Sequence, residues 1–263
     1  MIDIEKAKKE FISYTEKFDL EKEEIKRKQE HSLRVMEASR KIANKLGLSE
    51  EQIWLASIIG LLHDIGRFEQ YNRNNTYLNE MLLDHSNLGI KVLLENDYIK
   101  KYVDNEKYIP IVLVAIKNHN KFKIEDNLSK EELLFCKIIR DADKLDILYE
   151  GENIYWNTQR EKANVENSKI SIKIEQQFKV ERQVKKLGNE RNDTIDGLLI
   201  LLSYIYDINF KETLEIVQKE DYANKILDRF NFKDVETKEK IENLRRILLK
   251  FIRLSLRKKV VEG

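Results

Sequence analysis

Residues 53–67 read IWLASIIGLLHDIGR, an apolar run that closes on His63 and Asp64. A segment this apolar is a helix buried all round, and ionisable side chains at its end are costly to bury without a partner. A divalent cation is a good partner for both. Neighbouring helical positions point about 100° apart, so the imidazole and the carboxylate reach adjacent positions on one ion or serve two different ions. The start of this helix is written just upstream, where Ser49 is followed three residues on by Gln52, with Leu48 before it and Ile53 after it. That is a capping box with a hydrophobic staple. The plain structural alternative is a helix C-terminus in which His63 meets the last carbonyls and Asp64 caps the turn that follows.

The same grammar recurs on either side. Ser129 and Glu132 form a second box, with Leu128 placed to pack on Leu133, ahead of an apolar-periodic run through Ile139 and Leu148. Pro110 suits a first helical position, opening a helix over about 110–118 that leads to His119. His31, Val35, Ala38 and Ile42 recur at three- and four-residue spacing, so His31 faces inward on a helix ending near Gly47. In IIRDADKLDIL, Asp143 shares the inward line of Ile139 and Ile147, whereas Asp141 and Asp146 fall on other faces. With 1 proline and 8 glycines in 263 residues and a Lys, Glu, Leu, Ile and Asn content that favours helix, an all-α fold is expected.

Beyond Glu150 the periodicity weakens. The stretch to about 193, with its alternation at Ile170, Ile172 and Ile174, reads as an insertion or lid that shapes access to the first part. Helical patterning resumes at 195–205 and 241–256 as a C-terminal extension packing on the first part. The expected organisation is a metal-binding domain over 1–150, with its core at about 28–150, followed by 151–263.

Bulk properties exclude several classes. With 48 basic and 47 acidic residues, the chain carries no electrostatic footprint of a nucleic-acid binder. Glu21–Glu30 and the basic end at Arg253, Arg257, Lys258 and Lys259 read as solvated helix faces. Cys136, the single cysteine, rules out an internal disulfide and a cysteine zinc site and suits a reducing compartment. The opening MIDIEKAKKEF has no apolar core of a signal peptide, and no stretch approaches a membrane span, so a cytoplasmic protein without membrane partners is expected. Oligomeric state is open.

The 4 histidines, His31, His63, His85 and His119, all precede Asp143. Imidazole mixed with carboxylate suits Mn, Fe, Co, Ni or Zn, with Mg an option, and the ligand types do not choose among them. In a two-metal site of this kind a bridging water becomes a nucleophile near neutral pH while the ions clamp a phosphoryl group. No activated Ser or Cys and no Gly-rich phosphate loop competes with that reading.

The ordered set His31, His63-Asp64 and Asp143, with the phrases GLLHDIGRFEQ and IIRDADKLD, resembles the HD-domain superfamily of metal-dependent phosphohydrolases over roughly residues 28–150. The resemblance implies a helical bundle in which His31, His63, Asp64 and Asp143 bind one ion, while His85 and His119, with a bridging Asp64, hold a second. It implies a small phosphorylated substrate, such as a nucleotide, attacked by a metal-bridging hydroxide. Asp64, Arg67 and Lys144 are the candidate catalytic residues, Arg67 and Lys144 as phosphate binders. Their structural alternatives are a solvated arginine after a helix stop at Gly66, and a lysine turned from the metal line. The paired histidines and GYP signature of cyclic di-nucleotide phosphodiesterases are missing, since Asn120 follows His119. The same six residues also resemble small bacterial hydrolases of diadenosine tetraphosphate and mixed-valent di-iron oxygenases such as myo-inositol oxygenase. A third option is a non-catalytic nucleotide-sensing module.

His85 could instead be a polar residue in a helix-start segment capped by Asp84, with Gly89 one turn on to admit close packing, and His119 a surface residue at a helix end. Arg34 either reaches the pocket or solvates. Cys136 reads as packing, and Tyr71, Tyr77, Tyr155 and Trp156 line a pocket or belong to the core.

Overall fold

Ser49 caps its helix as its sequence requires: its hydroxyl accepts from the Gln52 amide at 3.3 Å, and the Gln52 side chain accepts from the Ser49 amide at 3.2 Å. In the computed structural model, which describes residues 3–74, 84–182 and 194–257, that helix runs Glu50–Leu62. Tyr77, Lys258, Lys259 and residues 183–193 of the proposed insertion lie outside the described residues. Every regular element among the described residues is helical, so the protein is all-α.

The chain divides into two compact units, Met1–Asp146 and Ile147–Gly263. In the first, α1 (Ile4–Thr15), α2 (Glu23–Lys45), α3 (Glu50–Leu62), α4 (Ile65–Asn74), α5 (His85–Leu94) and α6 (Ile109–Asn118) are followed by α7 (Lys130–Asn153), which runs on past the division. Short 3-10 segments at Glu95–Lys101 and Glu106–Tyr108 join α5 to α6. Gly47, at φ 68°, ends the turn after α2 in a conformation that suits glycine. Pro110 stands in the first turn of α6, and Ser129 and Glu132 close their box at the start of α7 with bonds of 3.2 and 2.8 Å.

The core of this unit holds α3, of which Trp54 through Leu62 are all buried. Val35, Met36 and Ile42 of α2, Ile116 of α6, and Phe135 and Ile139 of α7 join it. Phe11 and Phe68 meet edge to face at 5.9 Å, holding α1 on α4. Each fully buried side chain of this size contributes about 1.5–3 kcal/mol by leaving water.

One close contact positions the site. A Cβ on Gly66 would stand 2.1 Å from the His85 carbonyl oxygen and 2.4 Å from the Gly89 nitrogen. Only glycine lets α4 approach the start of α5 so closely.

The second unit carries α8 (Gln159–Asn167), α9 (Ile172–Gln176), α10 (Ile195–Ser203), α11 (Lys211–Glu220), α12 (Tyr222–Leu227) and α13 (Val235–Arg257). The isoleucine alternation of 170–174 is not extended chain. Ser171 caps α9, Ile170 and Ile174 are buried, and Ile172 is exposed. Trp156 belongs to this unit's core, edge to face with Phe230 at 5.8 Å. Ile241, Leu244, Leu248 and Ile252 form the buried stripe of α13. No described helix is long and apolar enough to cross a membrane.

Candidate metal centre

His63 and His119 are each the residue that ends an apolar helix, α3 and α6. Each turns Nδ1 back onto a carbonyl of its own last turn, His63 onto Gly60 at 2.8 Å and His119 onto Ile116 at 2.7 Å. A carbonyl only accepts, so Nδ1 carries the proton and Nε2 presents a lone pair. His31, from the middle of α2, donates through Nδ1 to Asp146 Oδ2 at 2.6 Å. The three rings are thereby oriented with Nε2 toward Asp64. His85, the first residue of α5, brings its Nε2 to 3.1 Å from that of His119, while His31 and His63 approach at 3.2 Å.

Asp64 lies between the two pairs. Its Oδ2 is 3.6 Å from Nε2 of both His31 and His63. Its Oδ1 is 3.3 Å from Nε2 of His85 and 3.5 Å from that of His119. Asp143 adds Oδ1 at 3.3 Å from His31 and 3.7 Å from His63. All six residues foreseen as ligands thus meet, and all but Asp143, whose side chain keeps 20% of its surface, are buried.

The donor chemistry fits a cation. Neighbouring ligands around an ion with bonds of about 2.0–2.2 Å stand roughly 3.0–3.5 Å apart, and the contacts here run from 3.1 to 3.7 Å. Asp64 Oδ1 is buried without a hydrogen bond, although such an oxygen ordinarily finds one. The His31–His63 contact likewise joins two nitrogens that both carry lone pairs when the rings are neutral. A proton or a metal ion between them relieves the conflict.

The electrostatics follow the same division. Burial and Lys28 both oppose charge on His31, yet Asp143 and Asp146 outweigh them and raise it to about 9. Burial lowers His63 to about 4 against the pull of Asp64 and Asp143, and burial holds His85 well below its usual range. Asp64, which burial alone would push up, is held well below the carboxylate range by Lys28 and the histidines around it. Asp143 is lowered in the same way by His31 and His63, and Asp146 by His31 and Arg34.

Arg67 stands at the second pair, Nε 3.7 Å from Asp64 Oδ1 and Nη1 donating to Gln70 at 2.8 Å. Lys144 is buried with Nζ donating to the Arg140 carbonyl of its own helix at 3.2 Å. Arg34 does not solvate; it forks onto both oxygens of Asp146 at 2.6 and 2.9 Å. Cys136 packs beside Val114, and burial pushes its thiol up to about 12. Tyr71 is buried, its hydroxyl 3.4 Å from Glu24.

Three participants went unrecognised in the sequence. The sequence pattern puts Asp146 on another face of α7 from Asp143, whereas in the structure it is the carboxylate behind His31. Lys28, one turn before His31, places Nζ 2.8 Å from Asp64 Oδ2. Arg140, three residues before Asp143, donates to the carbonyls of Asn118, His119 and Lys121 and so ties the end of α6 to α7. The i, i+3 spacing of Lys28, His31 and Arg34, and of Arg140, Asp143 and Asp146, was the available signal.

The all-α domain gathers imidazoles and carboxylates from α2, the ends of α3 and α6, the start of α5 and the middle of α7 into clusters that could hold a metal ion. Residues 29–148 match the family model of the HD domain, and the chain carries an HD domain there. HD domains are mostly metal-dependent hydrolases that bind divalent metals. No curated protein and no solved structure matches the chain.

Proposed function

We propose that the protein is a metal-dependent phosphohydrolase that cleaves a phosphate ester or anhydride of a small metabolite or nucleotide. His31, His63, Asp64 and Asp143 hold one divalent ion, and Asp64, His85 and His119 a second, with Mn, Fe, Co, Ni, Zn or Mg as the candidates. The observation that carries this reading is Asp64, whose two oxygens face two separate histidine pairs. A carboxylate so placed is suited to bridging.

When bound, such ions lower the pKa of a water and polarise the phosphoryl group it attacks. The chain supplies the rest. Asp146 and the Gly60 and Ile116 carbonyls keep the protons of His31, His63 and His119 on Nδ1, leaving Nε2 to ligate. Arg67, beside Asp64 Oδ1, holds a phosphoryl oxygen. Lys144, next to Asp143 on α7 with Nζ donating to the Arg140 carbonyl, is the second phosphate binder.

Elemental analysis together with phosphate release from a panel of nucleotides and sugar phosphates, with Mn, Fe, Co or Mg added, tests the reading. About two ions per chain with metal-dependent phosphate release is the expected result. Tightly held iron with O₂-dependent turnover and no phosphate release would instead identify an oxygenase with the same ligands. Ligand-dependent stabilisation without any product would identify a sensing module.

A further inference from the structure

Asp64 has a cation on each of its oxygens, Arg67 near Oδ1 and Lys28 on Oδ2. Arg67 follows the HD pair in sequence. Lys28 comes from α2, one turn ahead of His31 on the same face, within the Glu21–Glu30 stretch whose mixed charges suggest a solvated face. Its ammonium is bonded to the carboxylate oxygen that also faces His31 and His63 at 3.6 Å each. The lysine keeps 19% of its side-chain surface, against 2% for His31 and 5% for Asp64. It therefore stands at the solvent side of the same cluster.

The charges make this position informative. Asp64 already carries both Lys28 and Arg67, Asp143 faces His31, and Asp146 is clamped by Arg34. Divalent ions added to that arrangement leave an excess of positive charge around a ligand oxygen that the ammonium also occupies. A dication and an ammonium on one oxygen repel each other, so the lysine either moves off or meets an anion. A lysine on a flexible stem is free to change partners in a way that an arginine forked onto both oxygens of a carboxylate, such as Arg34, is not.

Resting on the phosphohydrolase reading above, we propose that Lys28 is a substrate-binding residue whose ammonium exchanges its hold on Asp64 Oδ2 for a non-bridging oxygen of the bound phosphoryl group. A purely structural ion pair between α2 and the end of α3 is the competing account, and the two make opposite predictions. If Lys28 competes with the ion for Asp64, its removal leaves metal affinity unchanged or tighter. If it merely braces the ligand, removal weakens the metal.

The test uses the full chain and two titrations, Mn²⁺ alone and inorganic phosphate against the Mn²⁺-loaded protein, on wild type, Lys28→Met and Lys28→Arg. Lys28→Met is expected to bind Mn²⁺ at least as tightly as wild type and phosphate about tenfold more weakly, the loss of one charge-assisted hydrogen bond. Lys28→Arg, which keeps the charge, is expected to restore phosphate affinity to within about threefold of wild type and guards against a folding defect in the first variant. Unchanged phosphate affinity in a Mn²⁺-loaded Lys28→Met protein, or Mn²⁺ affinity that falls with the lysine, overturns the proposal while leaving the metal centre intact. Failure of the wild-type chain to take up Mn²⁺ would remove the metal-centre reading itself and this inference with it.

Discussion

The two histidine pairs address the same carboxylate from opposite oxygens, but they are braced differently. His31 leans on Asp146, a carboxylate itself clamped by the two nitrogens of Arg34. Its side of the centre also holds Asp143, which gives that half two carboxylates. The other half has Asp64 alone, with the Arg67 cation 3.7 Å from the oxygen it shares. His85 is fixed there through backbone contact, by the glycine approach of α4 to α5 and by Asn120 bonding to Asp84 at 3.0 Å. Each Asp64 oxygen has a neighbouring cation, Lys28 at 2.8 Å in the first half and Arg67 at 3.7 Å in the second, so it is the second carboxylate and the side-chain brace that favour ion binding in the first half. The first ion is therefore expected to be held firmly and the second to exchange.

The largest effect comes from the residue common to both halves. Asp64→Asn keeps the volume and removes the charge, and is expected to reduce metal content from about two ions per chain to nearly none, with activity lost. Elemental analysis after gel filtration reads this directly. Retention of one tightly bound ion would show that Asp64 serves one half only. His119→Ala separates the halves more finely: it should abolish the weaker class of Mn²⁺ sites and leave the stronger, whereas His63→Ala should abolish the stronger. Loss of both classes in His119→Ala would break the distinction and make the centre a single cooperative unit.

The asymmetry explains what the sequence disclosed and what it withheld. The starts of α3 and α7 were legible because a capping box is a local device, complete within four residues. The histidines that end α3 and α6 were legible as candidate ligands because each ends an apolar run, where an ionisable group stands out. Asp146 was misplaced for a physical reason. The line drawn through Ile139, Asp143 and Ile147 assumed one buried face, yet from Phe135 to Asp146 α7 is buried almost all round, and Asp143 and Ile147 are among its less covered residues. In a helix covered on every side, periodicity no longer points anywhere. Lys28 and Arg140 were hidden because lysine and arginine on an otherwise charged helix look like solvated residues. Their roles depend on carboxylate and carbonyl groups that only the tertiary fold supplies.

Asp146 also offers a smaller and more selective test than the ligands. Asp146→Asn keeps an oxygen for His31 Nδ1 but loses the charge that raises the basicity of the ring and the clamp from Arg34. The stronger Mn²⁺ class should weaken about 10- to 100-fold, as for other partners behind a ligand, and the weaker class should not move. A merely structural role would show instead as a lower melting temperature with both affinities unchanged.

The mildest probe is pH, and it distinguishes the halves without altering a residue. His31 Nδ1 is engaged by Asp146, so ligation requires Nε2 to be free of its proton. With His31 raised to about 9, its ion pairs stabilise the metal-free fold fully below its ordinary value of 6.5 and lose that contribution as pH rises through about 9. The same proton competes with the ion, so the linkage for binding runs the other way. Affinity of the stronger class should rise about tenfold per pH unit between 6.5 and 9 and then level off. His85 is held well below its usual range by burial and has no proton to surrender near neutrality, so it adds no such rise to the weaker class. Calorimetric Mn²⁺ titrations in buffers of different ionisation heat measure the protons released by each class. Release from the stronger class alone sharpens the comparison, and equal release from both would mean that His31 and Asp146 do not set the first half apart.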